Sequence, residues 1–171
     1  MMKYIALAVA ALLIGLDQWV KVWAASGLTR SIPVIPGLFY LTYLENTGAA
    51  FGIFQGRTLL LAAISIVVLV VLLVIMLSEK IKEGLLIWGI SLILAGGVGN
   101  LIDRLMRGFV IDYLDFSALF GFPVFNLADC FVVIGTGIVI FYILFLEGKK
   151  SEDSGGGENE LSKDGQIGES N

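Results

Sequence analysis

Residues Leu59 to Leu77 read LLLAAISIVVLVVLLVIML, a run with no charged group, no glycine and no proline. A helix rises about 1.5 Å per residue and the hydrocarbon core of a bilayer is about 30 Å thick, so a run of this length reads as a membrane span. Three more apolar stretches reach comparable length, at about 4–25, 85–102 and 123–146, each punctuated by a few polar residues. The expected fold is therefore an all-α membrane protein, a four-transmembrane-helix bundle with both termini on one side. Composition agrees: 57% of the 171 residues are hydrophobic and 15% are charged, against about 25% charged in soluble domains.

The first span superficially resembles a cleavable signal peptide, since Lys3 precedes its apolar core and Val22-Trp23-Ala24 loosely resembles a cleavage site. Asp17 and Lys21 interrupt the region that should be small and neutral, so it is counted as a span. Residues 1–150 are expected to form the membrane domain, and 151–171, rich in Gly, Ser and Glu, a disordered acidic tail. The tail holds six acids and one base, leaving ten bases and nine acids elsewhere. A near-neutral body offers no basic stripe, so nucleic acid is not an expected partner.

There is no histidine and a single cysteine, Cys130. A Ser-His-Asp or Cys-His triad and a histidine-ligated zinc are thereby excluded, and with no adjacent cation to lower its pKa the Cys130 thiol reads as an apolar side chain. Any enzymatic chemistry falls to carboxylates. Orientation rests on the basic residues: Lys3, Lys80, Lys82, Lys149 and Lys150 flank one side, Arg30, Arg57, Arg104 and Arg107 the other. This bias places both termini in the cytoplasm. Leu38 to Leu44, aromatic and β-branched between glycine turns, reads as a strand or hairpin in a β-rich extracytoplasmic loop between spans one and two. The aromatics Phe109, Tyr113, Phe116, Phe120 and Phe122, between spans three and four, suit the headgroup interface.

Ionisable groups inside a span cost about 2.5–3.5 kcal/mol each on insertion scales, so each needs an account. Asp17 and Lys21 lie four apart on one helical face and read as a structural pair with Lys21 snorkelling outward, direct substrate contact being the alternative. Gly96, Gly97 and Gly99 precede Asn100, Asp103 and Arg104. The glycines read as helix packing, and Asp103 with Arg104 as a charge pair clamping the helix end. In the fourth span Asn126 and Asp129 share a face, and Asp129 has no basic neighbour along its helix. It must turn into the bundle and find a polar partner there.

All these polar groups fall in the same half of the membrane, on the side from which the loops carrying Asn46 and Asp112 emerge. One polar cavity near one interface accounts for them together. Asp112, in a loop or surface-lying segment, is expected to fold back over Asp129. Two carboxylates in a semi-buried site cannot readily both ionise, so one becomes a base and the other a proton donor. That arrangement activates a water for attack on a peptide carbonyl. A proton-coupled transporter and a lipoprotein-binding chaperone are the rival readings; clustering of the acids at one face and the lack of an internal repeat speak against the transporter.

Five blocks, in order, carry a resemblance: Asp17-Gln18-Trp19-Val20-Lys21, Asn46-Thr47-Gly48-Ala49-Ala50-Phe51-Gly52, Gly96 to Arg104, Val110-Ile111-Asp112-Tyr113 and Phe125-Asn126-Leu127-Ala128-Asp129. With them the chain resembles the bacterial lipoprotein signal peptidases (signal peptidase II), membrane aspartic endopeptidases. The resemblance implies Asp112 and Asp129 as the catalytic pair. It implies Asn46, Asn100, Arg104 and Asn126 as groups that hold the substrate or orient the aspartates, supported by Asp17, Lys21, Asp103 and Gly99. It further implies a diacylglyceryl-modified prolipoprotein as substrate, cleaved on the amino side of the lipidated lipobox cysteine, with no metal or organic cofactor. The implied setting is the bacterial inner membrane, with the active site near the extracytoplasmic face; membrane lipids are expected as further partners and the protein is expected to be a monomer.

Overall fold

The structure, a computed structural model, describes residues 1–49 and 53–147. Four helices are long and apolar enough to cross a membrane: α1 (Met2–Gly27), α2 (Thr58–Leu77), α3 (Gly84–Met106) and α5 (Leu127–Tyr142), the last extended by a π-helical turn, Ile143–Glu147. Three strands form an antiparallel sheet in the order β1 (Ile32–Ile35), β2 (Phe39–Asn46), β3 (Val110–Asp115), and a short α4 (Ser117–Phe120) follows β3. The expected tail, Lys149, Lys150 and the stretch Ala50-Phe51-Gly52 lie outside the described residues.

Helix α3 is central, packed by α1, α2 and α5, and its glycines permit that. A Cβ on Gly96 would stand 2.1 Å from the Ala128 carbonyl oxygen of α5, and one on Gly99 would stand 2.6 Å from Asp17 Oδ2 of α1. Only a residue without a side chain allows such close approach, as in tightly packed membrane helices. Helix α2 buries Ala62, Leu69 and Met76, one residue every seven, so it meets the bundle along a single seam. Most of its remaining apolar surface is exposed, which in a membrane means lipid.

Two boundaries differ from the sequence reading. The fourth span starts at Leu127, not 123, because Phe125 pairs with β3: its N–H donates to the Leu114 carbonyl at 3.0 Å, and its carbonyl accepts from Leu114 N at 2.8 Å. Pro123 cannot contribute an N–H to such a ladder and sits just outside it. The third span runs on to Met106, since nothing after Arg104 breaks a helix before Gly108, whose φ is +82°.

Asp112 is also placed differently, on a strand instead of a loop. β3 pairs with β2 through Glu45↔Ile111 and Leu44↔Asp112. Alternation along the strand sends Ile111 and Tyr113 into the core formed with Ala24 of α1 and Leu28 just after it, and Asp112 to the opposite face. The aromatics that suited a headgroup belt partly pack on the protein itself: Tyr113 is buried, and Phe116 stacks on Phe39 at 4.6 Å and on Phe125 at 5.8 Å.

Candidate active site

Asn126 caps α5. Its side chain accepts from Asp129 N at 3.0 Å, and Asp129 Oδ2 accepts from Asn126 N at 3.1 Å, a reciprocal capping box. The cap fixes Asp129 at the first turn with one oxygen left for other partners. Asp129 Oδ1 accepts from Asn100 Nδ2 at 2.8 Å, which supplies the polar partner an intramembrane acid requires.

Asp112 accepts on both oxygens, from Asn46 Nδ2 at 2.9 Å and from Asn126 Nδ2 at 2.7 Å. Asn126 Nδ2 also donates to Asn100 Oδ1 at 3.1 Å, so Asn100 and Asn126 bridge the two carboxylates. Burial pushes the Asp112 carboxyl up to about 6; the nearby Asp129 adds to the rise, and the Asn46 and Asn126 hydrogen bonds hold it back.

Both aspartates line a cleft of about 520 Å³. Asn46, Asn100 and Arg104 stand around them at its inner end, while Val132, Val133 and Ile134 carry it along α5. Val133 and Ile134 are also outward-facing, so the cleft is continuous with the lipid-exposed surface. Cys130 lines it as well.

Behind the cleft lies a buried charge cluster. Lys21 Nζ is 2.9 Å from Asp17 Oδ2, 3.0 Å from Asp103 Oδ2 and 2.9 Å from Asn100 Oδ1. Lys21 does not snorkel: it is fully buried, as are Asp17 and Asp103. Nor does Asp103 pair with Arg104; its partners are Lys21 and Arg107. A charge enclosed by two carboxylates gains more there than a long stem reaching for the interface would. Asp103 also accepts from Ile111 N at 3.2 Å and Asp17 from Ala128 N at 3.1 Å. The cluster thus holds both β3, which carries Asp112, and the start of α5, which carries Asp129.

Arg104 instead reaches the loop after β2, donating to the Gly48 carbonyl at 3.3 Å, and its Nε is buried with no partner among the described residues. The structure therefore gathers Asn46, Asn100, Arg104, Asp112 and Asp129 around one cleft, with Asn126, Asp17, Lys21, Asp103 and Gly99 packed behind it. Sequence reasoning passed over Gln18 and Arg107. Gln18 Nε2 donates to the Gly99 carbonyl at 3.0 Å, and Gln18 Oε1 accepts from Arg107 at 3.1 Å. The spacing Asp103–Arg107 is an i, i+4 pair and was readable as such; Gln18 carried no local signal.

Residues 9–145 match the family model described as signal peptidase (SPase) II. The chain is 45% identical to a lipoprotein signal peptidase of Clostridioides difficile (strain 630) over 81% of its own length and 93% of the relative's. It is 40% identical to one from Clostridium acetobutylicum, over 83% and 95%. A bacterial membrane enzyme structure determined by the in meso method superposes with a TM-score of 0.76 at 33% identity, covering 81% of this chain and 87% of that one. With a family match across nearly all the described residues and four helices able to span a bilayer, the chain belongs to the signal peptidase II family and is a multi-pass bacterial membrane peptidase.

Proposed function

We propose that this peptidase removes signal peptides from diacylglyceryl-modified prolipoproteins, cleaving on the amino side of the lipidated lipobox cysteine with Asp112 and Asp129 as its catalytic pair. The observation that carries the reading is the single cleft into which both carboxylates face, apolar and lipid-exposed along α5 and polar at its inner end. A substrate with acyl chains reaches such a site by lateral diffusion, its chains staying among Val132, Val133 and Ile134 while the peptide bond meets the aspartates. Extracting those chains into water would cost about 0.8 kcal/mol per CH₂.

Asp112, raised by burial, is assigned the proton, and Asp129, held by Asn100 and the α5 capping box, is the base. Asp129 takes a proton from water, the water oxygen attacks the carbonyl carbon, and Asp112 protonates the carbonyl oxygen. When the tetrahedral intermediate collapses, the C–N bond breaks, Asp129 passes its proton to the leaving amine and Asp112 recovers its own. Arg104, whose side chain lines the cleft, is a donor for a substrate carbonyl. Both termini lie in the cytoplasm and the site near the outer face, consistent with Lys3, Lys80 and Lys82 at one end of the bundle and Arg30, Arg57 and Arg107 at the other. Membrane lipids surround a monomer in this reading.

The decisive assay uses purified protein in detergent and two peptides differing only in the diacylglyceryl group. Cleavage between the lipidated cysteine and the residue before it, at a kcat/KM at least about 100-fold above the unlipidated peptide, is the expected result. Equal rates on both would end the lipid-directed reading.

A pH profile tests the assignment of roles. Asp112 is protonated below about 6 and ionised above it, so as proton donor it makes kcat/KM fall as pH rises through that value. The limb of kcat should lie higher, because a bound substrate further desolvates the carboxyl. A kcat/KM that climbs through the same window would make Asp112 the base.

A further inference from the structure

The first four backbone N–H groups of a helix have no partner within it and must be met from outside. At the start of α5 all of them are met. Asn126 N and Asp129 N are taken by the reciprocal cap, at 3.1 and 3.0 Å. Ala128 N donates to Asp17 Oδ1 of α1 at 3.1 Å, and Leu127 N donates to the Tyr113 hydroxyl oxygen of β3 at 3.2 Å. The last of these differs from the rest, because β3 also carries Asp112. Successive residues of a strand point to opposite faces, and here both faces grip the same turn. Asp112 accepts from the Asn126 side chain at 2.7 Å, and Tyr113 accepts from the backbone one residue on. Phe125, just before that turn, pairs with Leu114 through the backbone. Tyr113 is 3% exposed, and it packs with Ala24, Leu28 and Ile111. Burial pushes its hydroxyl above the ordinary tyrosine range, so it remains a neutral acceptor wherever the two aspartates titrate.

We propose that Tyr113 is a positioning residue for this peptidase: its hydroxyl fixes the first turn of α5 against β3 and so sets where Asp129 stands relative to Asp112. The inference rests on the catalytic pair assigned above, which the Asp112→Asn and Asp129→Asn variants test separately. The two carboxylates come from different elements, yet the reaction requires both to meet one water and one carbonyl. A misplacement of about 1 Å at such a site costs up to about 10²-fold in rate. Without the hydroxyl Leu127 N loses its partner, and the turn that carries Asp129 shifts to find another.

Tyr113→Phe removes one oxygen and keeps the ring in the core. Its kcat on a lipidated peptide should fall about tenfold with KM within about twofold, since the apolar groove at Val132, Val133 and Ile134 lies farther along the helix. Leu127→Pro separates positioning from general loosening. Leu127 is the first residue of α5, a place that suits proline because an N–H there has no partner within the helix. Asn126 before it is already extended, with φ −135° and ψ 179°, as a residue preceding proline should be. In that background the hydroxyl has no N–H to hold, so adding Tyr113→Phe should change kcat by less than about twofold, a comparison made as a double-mutant cycle. An equal loss in both backgrounds, or no loss in Tyr113→Phe alone, overturns the role of the hydroxyl while cleavage by the unaltered protein upholds the peptidase reading. No cleavage of any lipidated peptide by the unaltered protein overturns both. Should Leu127→Pro not fold, Tyr113→Phe decides alone at a temperature below its thermal midpoint: a loss carried by kcat supports the inference, and one carried by KM overturns it.

Discussion

Asp112→Asn and Asp129→Asn are each expected to lower kcat on a lipidated peptide by at least about 10³-fold while leaving KM within about threefold. Asparagine keeps the size of the side chain and one acceptor oxygen. What it loses is the ability to take or give the proton on which both halves of the reaction depend. The two residues act as one unit, so the double variant should be no slower than the worse single one. Helix α5 supplies a control, because Asp129 is also half of a capping box. An asparagine there sets an amide against the Asn126 N–H or the Asn100 amide, so thermal unfolding must be measured beside activity. Peptide binding that survives with cleavage lost is the expected pattern. More than a tenth of normal turnover in either variant would remove that residue from the catalytic pair.

The spans were legible because crossing a bilayer demands little more than length and apolarity, and Leu59 to Leu77 meets both without ambiguity. Asp129 was legible through cost: an acid with no cation on its own helix has to turn inward, and it does. The third strand was harder to see. Val110 to Asp115 is buried on both faces, Ile111 and Tyr113 toward α1 and Asp112 toward the cleft, so the alternation that marks a half-exposed strand is missing. The partners of the buried charges were not legible either. Arg104 and Asp103 are adjacent in sequence yet point about 100° apart around a helix, and which neighbour each meets depends on how α1, α3 and α5 cross. Local pairs are written in the spacing, as the Asn126–Asp129 cap shows; pairs made across helices are not.

Lys21→Met should cost about 3–5 kcal/mol of folding stability, the range for removing one partner of a buried ion pair, or on the order of 10 °C in detergent. Methionine matches the stem in length, so the change removes charge with little change in volume. The loss does not fall evenly. Asp103 retains Arg107 and the Ile111 N–H, whereas Asp17 is left with the Ala128 N–H and Gln18. Neutralising Asp17 as well, in Lys21→Met/Asp17→Asn, should therefore recover part of the loss, a coupling that a double-mutant cycle measures directly. Activity should drop too, because Lys21 holds Asn100 and Asn100 holds Asp129, although Lys21 itself is walled off from the cleft by that asparagine. The drop should appear in kcat more than in KM, since a misoriented Asp129 still leaves the acyl chains their apolar groove. A Lys21→Met protein as stable as its parent would mean that Asp17 and Asp103 do not depend on this cation, and the charge cluster would lose its place as the support on which Asp112 and Asp129 rest.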